Sequence, residues 1–159
     1  MIISKAKKSE TGQIVELLRY ISGLHKEGRP DVFATGLPKY DLEAVLRLTD
    51  DENTFVITAT EGDEVLGYLI AYISEPSHDP HMKPRKTFYI DDLCVKPGSH
   101  RKGVGTALFG EAKRMAAERG CDIIDLNVWT FNTGAIRFYE SMGMKASRMR
   151  MELDLIKNK

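Results

Sequence analysis

Cysteine and net charge are what this chain of 159 residues has little of. Cys94 and Cys121 are its only cysteines, and both sit in apolar segments, so no disulfide framework of the kind that staples small secreted domains is available. Reduced thiols and a cytoplasmic location are the expectation. The 23 Lys and Arg balance 23 Asp and Glu, which leaves no global field to gather polyanions; nucleic acid and anionic membrane surfaces are therefore not expected as partners. No apolar run approaches the roughly 20 residues needed to cross a bilayer. The start, Met1 to Lys8, lacks the basic head, apolar stretch and cleavage site of a signal peptide.

What is present is ordinary for a globular protein: 42% hydrophobic and 29% charged residues. A chain of this length buries roughly 69% of its unfolded surface, enough for one core and not two. A single domain over 1–159 is expected.

Residues Ile2 to Lys7 alternate weakly as a first strand. Ser9 offers an N-cap, and Ile14, Leu17, Leu18 and Ile21 recur at helical spacing. The Gly- and Pro-bearing stretch from Gly28 to Pro38 is a loop, and Leu42, Val45, Leu46 and Leu48 predict a short second helix ending near Asp50. Thr54 to Thr60 and Val65 to Ile73 flank a Glu-Gly-Asp-Glu turn as a hairpin. Ser74 to Arg85 is a surface loop, and Thr87 to Val95 a fourth strand. A helix follows from Gly103 with Gly120 as its stop, then a fifth strand from Ile123 to Val128. Asn132 caps a further helix that ends at Gly143, and Met144 to Leu155 alternates as a last strand or strand pair. This order mixes a hairpin with crossovers, so a mixed sheet with helices on both faces is expected.

The segment Leu93-Cys94-Val95-Lys96-Pro97-Gly98-Ser99-His100-Arg101-Lys102-Gly103-Val104-Gly105-Thr106 carries the most chemistry. A strand ends, a basic turn follows, and two glycines open a helix whose unpaired N–H groups and positive dipole end make an anion cradle. Gly103 and Gly105 let the backbone approach a phosphate, and Arg101 and Lys102 add charge beside it. A diphosphate suits the cradle. The dinucleotide fingerprint fails because Leu108 stands where its third glycine belongs, and no Walker loop is present. An ordinary helix start with packing glycines is the competing reading.

His100-Arg101-Lys102-Gly103-Val104-Gly105 resembles the pyrophosphate loop of the GNAT superfamily of acetyl-CoA-dependent N-acetyltransferases, Gln/Arg-x-x-Gly-x-Gly/Ala. His100 departs from the usual Gln or Arg. Further on, Asn132-Thr133-Gly134-Ala135-Ile136-Arg137-Phe138-Tyr139-Glu140-Ser141-Met142-Gly143-Met144 is similar to the second signature, Asn-x-x-Ala-x-x-Phe-Tyr-x-x-x-Gly-Phe. Ile90 to Val95 resembles the family's central strand. The resemblance implies an α/β (α+β) fold with a mixed, mostly antiparallel sheet, strands four and five splayed, and helices on both faces. It implies acetyl-CoA as cosubstrate, bound by Leu93, Cys94 and Val95 through strand backbone, by His100, Arg101, Lys102, Gly103, Val104, Gly105 and Thr106 through the loop and helix start, and by Asn132 and Tyr139. It further implies direct transfer in a ternary complex to a primary amine of a small molecule or peptide, and allows a homodimer. A noncatalytic acyl-CoA-binding or regulatory module with this fold is the alternative.

Within that reading Tyr139 is the candidate acid for the departing thiolate, against a plain packed aromatic, and Asn132 is also a plain N-cap. For the base, Asp91 and Asp92 compete. Strand alternation allows only one to face the reacting centre, and Asp91, sharing a face with Leu93 and Tyr89, is preferred. Their acidity favours a cationic amine such as a polyamine or aminoglycoside. Cys94, in a buried strand, has no reason to ionise and is read as core. His78 and His81, three apart with no cysteine nearby, are read as loop residues, and no metal site is expected.

Overall fold

The computed structural model describes residues 1–76 and 78–155. The chain forms two compact units, Met1–Asn127 and a second that begins at Val128. The first holds β1 (Ile2–Lys5), a short 3-10 turn (Lys8–Glu10), α1 (Thr11–Gly28), α2 (Leu42–Asp50), β2 (Thr54–Glu61), β3 (Glu64–Ser74), β4 (Thr87–Val95), α3 (Val104–Glu118) and β5 (Ile123–Leu126); the second holds α4 (Thr133–Ser141).

Local chemistry accounts for most boundaries. Asp41 starts α2 by accepting from the Ala44 N–H at 2.8 Å. Ser9 does not cap α1 as its side chain suits it to do; it lies inside the 3-10 turn. Glu10 instead turns back to accept from the Lys7 N–H at 3.0 Å and takes the buried Thr58 hydroxyl at 2.8 Å. That ties the start of α1 to β2.

The five strands run in the order β1-β2-β3-β4-β5. The first three contacts are antiparallel and β4 with β5 is parallel, giving the mixed, mostly antiparallel sheet expected. β2 and β3 are buried almost without interruption, as strands covered on both faces must be. One cover is α1 and α2, where Ile14, Leu17, Leu18 and Val45 pack with Val56, Val65, Tyr68, Ile70 and Cys94. The other is α3. Gly67 permits its close approach: a Cβ there would meet the Cys94 carbonyl oxygen at 2.7 Å and the Val104 and Leu108 side chains at 3.1 and 3.3 Å.

Two irregularities of β4 matter for function. Its pairing with β5 runs from Thr87–Ile123 to Ile90–Leu126 and stops, so residues 91–95 continue without a β5 partner. The pairing ends where β5 itself ends, at Leu126. On its other side Ile70 faces Asp92 while Ala71 faces Ile90, which leaves Asp91 as the extra residue of a β-bulge.

The expected strand over 144–155 is not formed; that stretch is irregular. Met149, Met151, Leu153 and Leu155 alternate as a strand would, and they are 80%, 85%, 81% and 85% exposed. Alternation supplies a strand's side-chain pattern but not the neighbouring edge that its backbone needs.

Candidate active site

The loop after β4 is held by the Lys96 N–H on the Leu66 carbonyl at 2.8 Å and the Ser99 N–H on the Lys96 carbonyl at 3.0 Å. Gly103 sits at φ 79° as the residue before α3, with no side-chain cap. The first bond of the helix runs from the Ala107 N–H to the Gly103 carbonyl at 2.9 Å. The N–H groups of residues 104–106 therefore have no acceptor within the helix. His100, Arg101, Lys102 and Thr106 are exposed around this turn, and Arg101 itself is left-handed at φ 63°. An uncapped helix start ringed by two exposed cations fits a diphosphate. Lys96 does not join them, because its ammonium is paired with Glu64.

The bulge changes the acidic pair. Simple alternation would set Phe88, Ile90, Asp92 and Cys94 on one face. Phe88 instead packs on Phe55, 5.3 Å between ring centroids, and Phe55 lies under the Arg119 guanidinium next to α3. Cys94, beyond the bulge, packs among the residues under α1 and α2. The extra residue reverses the alternation, so Asp91 and Asp92 both reach the α1/α2 face. The expectation that the two adjacent carboxylates point to opposite faces of the sheet is thus corrected.

Asp91 accepts from the Lys39 ammonium at 2.6 Å and from the Tyr40 hydroxyl at 2.8 Å. Desolvation pulls the Lys39 ammonium down, but the Asp91 carboxylate outweighs it and leaves the pKa raised. Burial, then the Asp91 contact, pushes Tyr40 up to about 12. Asp92 forms no ion pair among the described residues. Burial pushes its carboxyl up to about 6, with the Lys39 charge and the Tyr68 hydroxyl pulling the other way. Tyr68 is fully buried, and the Asp92 carboxylate is the one group among the described residues near enough to engage its hydroxyl, in a contact too long for a regular hydrogen bond but close enough for the two to shift one another. Tyr72 and Tyr89 extend the wall with centroids 5.1 Å apart, and the Tyr89 hydroxyl accepts from the Asn127 amide at 2.8 Å.

A carboxylate near neutrality in its titration, beside a sheltered hydroxyl, is equipped to take a proton from an ammonium. Cys94 is not equipped as a nucleophile, since burial pushes its thiol up to about 12. The residues 91–95, with one backbone edge unpaired by β5, fit an extended arm laid alongside them. Lys39, Tyr40 and Tyr68 escaped the sequence reading. Nothing in a loop lysine or a strand tyrosine marks it as part of a site, and only the β4 bulge brings the carboxylates to them.

In the second unit, Asn132 caps α4 by accepting from the Ala135 N–H at 3.1 Å. Its amide nitrogen is left to donate elsewhere. Tyr139 is half-buried with its ring 5.2 Å from Phe138, and Gly143 ends the helix at φ 92°. Among the described residues no group of His, Cys, Asp and Glu is placed to hold a metal ion. No helix among them is long and apolar enough to cross a membrane.

With this geometry in place, comparison with known proteins identifies the class. A mutant of a Bacillus halodurans protein superimposes with a TM-score of 0.93 at 28% identity, covering 98% of this chain and 100% of that one. A metagenomic aminoglycoside acetyltransferase solved with trehalose shares the fold at a TM-score of 0.70 and 19% identity, covering 99% of this chain and 96% of its own. The family model of the acetyltransferase (GNAT) family matches residues 18–144, and the chain belongs to this family of N-acetyltransferases. The bovine thialysine N-epsilon-acetyltransferase is 24% identical over 153 residues, 90% of this chain and 83% of that protein. An uncharacterized N-acetyltransferase of Methanocaldococcus jannaschii is 32% identical over 95 residues, 60% of this chain but only 40% of its own length. The streptothricin acetyltransferase of Streptomyces lavendulae is 33% identical over 93 residues, 58% of this chain and 44% of that protein.

Proposed function

We infer that residues 1–159 act as one domain that transfers an acetyl group from acetyl-CoA to a primary amine of a small molecule or peptide, by direct attack in a ternary complex in the cytoplasm. The observation that carries this reading is the placement of Asp92: a sheltered carboxylate, titrating near 6, on the strand whose free edge leads into the anion-binding turn.

In this reading the diphosphate of acetyl-CoA lies at the uncapped start of α3, held by the loop from His100 to Thr106, and its arm follows the backbone of Leu93, Cys94 and Val95. Asp92 takes the proton of the acceptor ammonium, freeing the nitrogen lone pair. That nitrogen attacks the thioester carbonyl carbon, so a C–N bond forms as the C–S bond breaks. A strand N–H donating to the carbonyl oxygen stabilises the charge that gathers there. Tyr139 gives its proton to the departing thiolate and regains one as the acetylated nitrogen sheds its second proton, while the proton held by Asp92 passes to solvent; Asn132 donates its amide to the cosubstrate's arm.

Calorimetric titration with acetyl-CoA, followed by thiol release with a panel of primary amines, tests this. Binding with turnover is expected, and Tyr139→Phe should keep the binding while lowering turnover about a hundredfold or more. Binding without any turnover would leave a noncatalytic acyl-CoA module, and absence of binding would sink both.

A further inference from the structure

We propose that Lys39 is an internal stand-in for an ammonium of the acceptor: it occupies Asp91 in the free protein and is displaced by a linear diamine. This deepens the acetyl-transfer reading and rests on it.

The ion pair is lopsided. The Lys39 side chain is 48% exposed and comes from the irregular stretch between α1 and α2, whereas Asp91 is 12% exposed and fixed in the β4 bulge. The more exposed partner is the cation. Lys39 lies with its ammonium 5.2 Å from the centre of the Tyr40 ring, so what the carboxylate holds is an ammonium on an unbranched aliphatic chain, flanked by an aromatic face. Tyr40 donates to the other Asp91 oxygen at 2.8 Å, which keeps the carboxylate oriented when Lys39 leaves.

The charge count selects the ligand. Two carboxylates, Asp91 and Asp92, face one side of the sheet, and among the described residues Lys39 is the cation acting on both, so one negative charge lacks an ion-pair partner of its own there. A second feature points the same way: the buried Tyr68 hydroxyl lies within interaction range of the Asp92 carboxylate and has no other partner among the described residues. A buried hydroxyl able to donate and accept, beside an unmatched carboxylate, is a place prepared for a polar ligand group. A diamine supplies both missing pieces. Its distal ammonium replaces Lys39 on Asp91, and its reacting nitrogen stands by Asp92 and Tyr68, where it surrenders a proton before attack. Exchange of one ammonium for another on Asp91 conserves charge; a monoamine offers one cation for two carboxylates and leaves Lys39 in place.

The test pairs diaminobutane with butylamine in the full-length protein. Wild type should favour the diamine in kcat/KM. Lys39→Met keeps the aliphatic stem and removes the competing charge, so the diamine KM should fall about fivefold with the butylamine KM unmoved. Asp91→Asn should abolish the preference between the two amines. An unchanged diamine KM in Lys39→Met, or a preference that survives Asp91→Asn, would overturn the proposal. In parallel, the carbon-labelled lysine NMR signal assigned to Lys39 should shift on titration with diaminobutane alone. That shift without any turnover would retain the subsite and sink the acetyl-transfer reading. Turnover without the shift, or acetylation of Lys39 itself in place of exchange, would overturn the subsite alone.

Discussion

Asp91 and Asp92, adjacent along β4, direct both carboxylates to the face covered by α1 and α2, because Ile70 pairs with Asp92 and Ala71 with Ile90. One is neutralised by Lys39 and Tyr40; the other is left beside a buried hydroxyl. The same extra residue brings to one face two side chains that a regular strand would have pointed to opposite faces.

Asp92 carries a pH signature with a definite sign. The groups facing it are Lys39 from the loop before α2, Tyr68 from β3, and Asp91 and Cys94 on β4. Its folded pKa near 6 stands above the ordinary 3.8, so the folded protein carries an unfavourable buried charge above about 6 and is relieved as pH falls from 6 toward 3.8. Asp92→Asn should therefore be more stable than wild type at neutral pH by about 1 to 3 kcal/mol, with the advantage fading through that acid window. Its kcat/KM should drop about a hundredfold, and the wild-type profile should rise through pH 6. Melting curves and rate profiles across pH check both, and a variant that gains no stability at neutral pH removes the buried charge from the account.

Gly67 should tolerate no side chain. A methyl group would press on the Cys94 carbonyl oxygen at 2.7 Å, backbone that cannot move without shifting β4. Gly67→Ala should cost about 1 to 3 kcal/mol in denaturant unfolding and weaken acetyl-CoA binding, since Val104 at the head of α3 is displaced too. An alanine variant as stable as wild type contradicts the close packing.

Arg101 separates charge from backbone shape. At φ 63° it occupies a conformation that glycine adopts freely, so Arg101→Gly should stay within about 1 kcal/mol of wild-type stability. Loss of its charge should weaken acetyl-CoA binding by up to about fivefold at low salt, and less at high salt. Equal affinity at low salt would show that the backbone cradle alone holds the diphosphate.

Cys94 should be chemically silent. Its thiol is buried and pushed up to about 12, whereas Cys121 is partly accessible. Brief alkylation of the native protein at neutral pH should label Cys121 first, as read by peptide mass spectrometry. An acetyl group found on Cys94 after incubation with acetyl-CoA would replace direct transfer with an acyl-enzyme route.

The order of elements was legible because each rests on short-range rules. β4 runs from Thr87 to Val95 where its β-branched and apolar residues end, α2 begins after Asp41, and α3 opens after Gly103. The glycine turn with its uncapped helix start was legible for the same reason, since two glycines and a helix start are local. The strand forecast after Met144 failed because alternation specifies a face and not a neighbour.

By itself, then, the sequence determined the helices and strands up to Gly143, the mixed sheet and the family, all of which depend on residues close together along the chain. Tertiary structure alone decided which carboxylate is ion-paired and which is not. The bulge that turns Asp91 and Asp92 to one side arises from how β3 and β4 register against each other. Lys39 and Tyr40 reach Asp91 across 52 and 51 residues of chain, a distance over which no local rule of propensity or spacing acts.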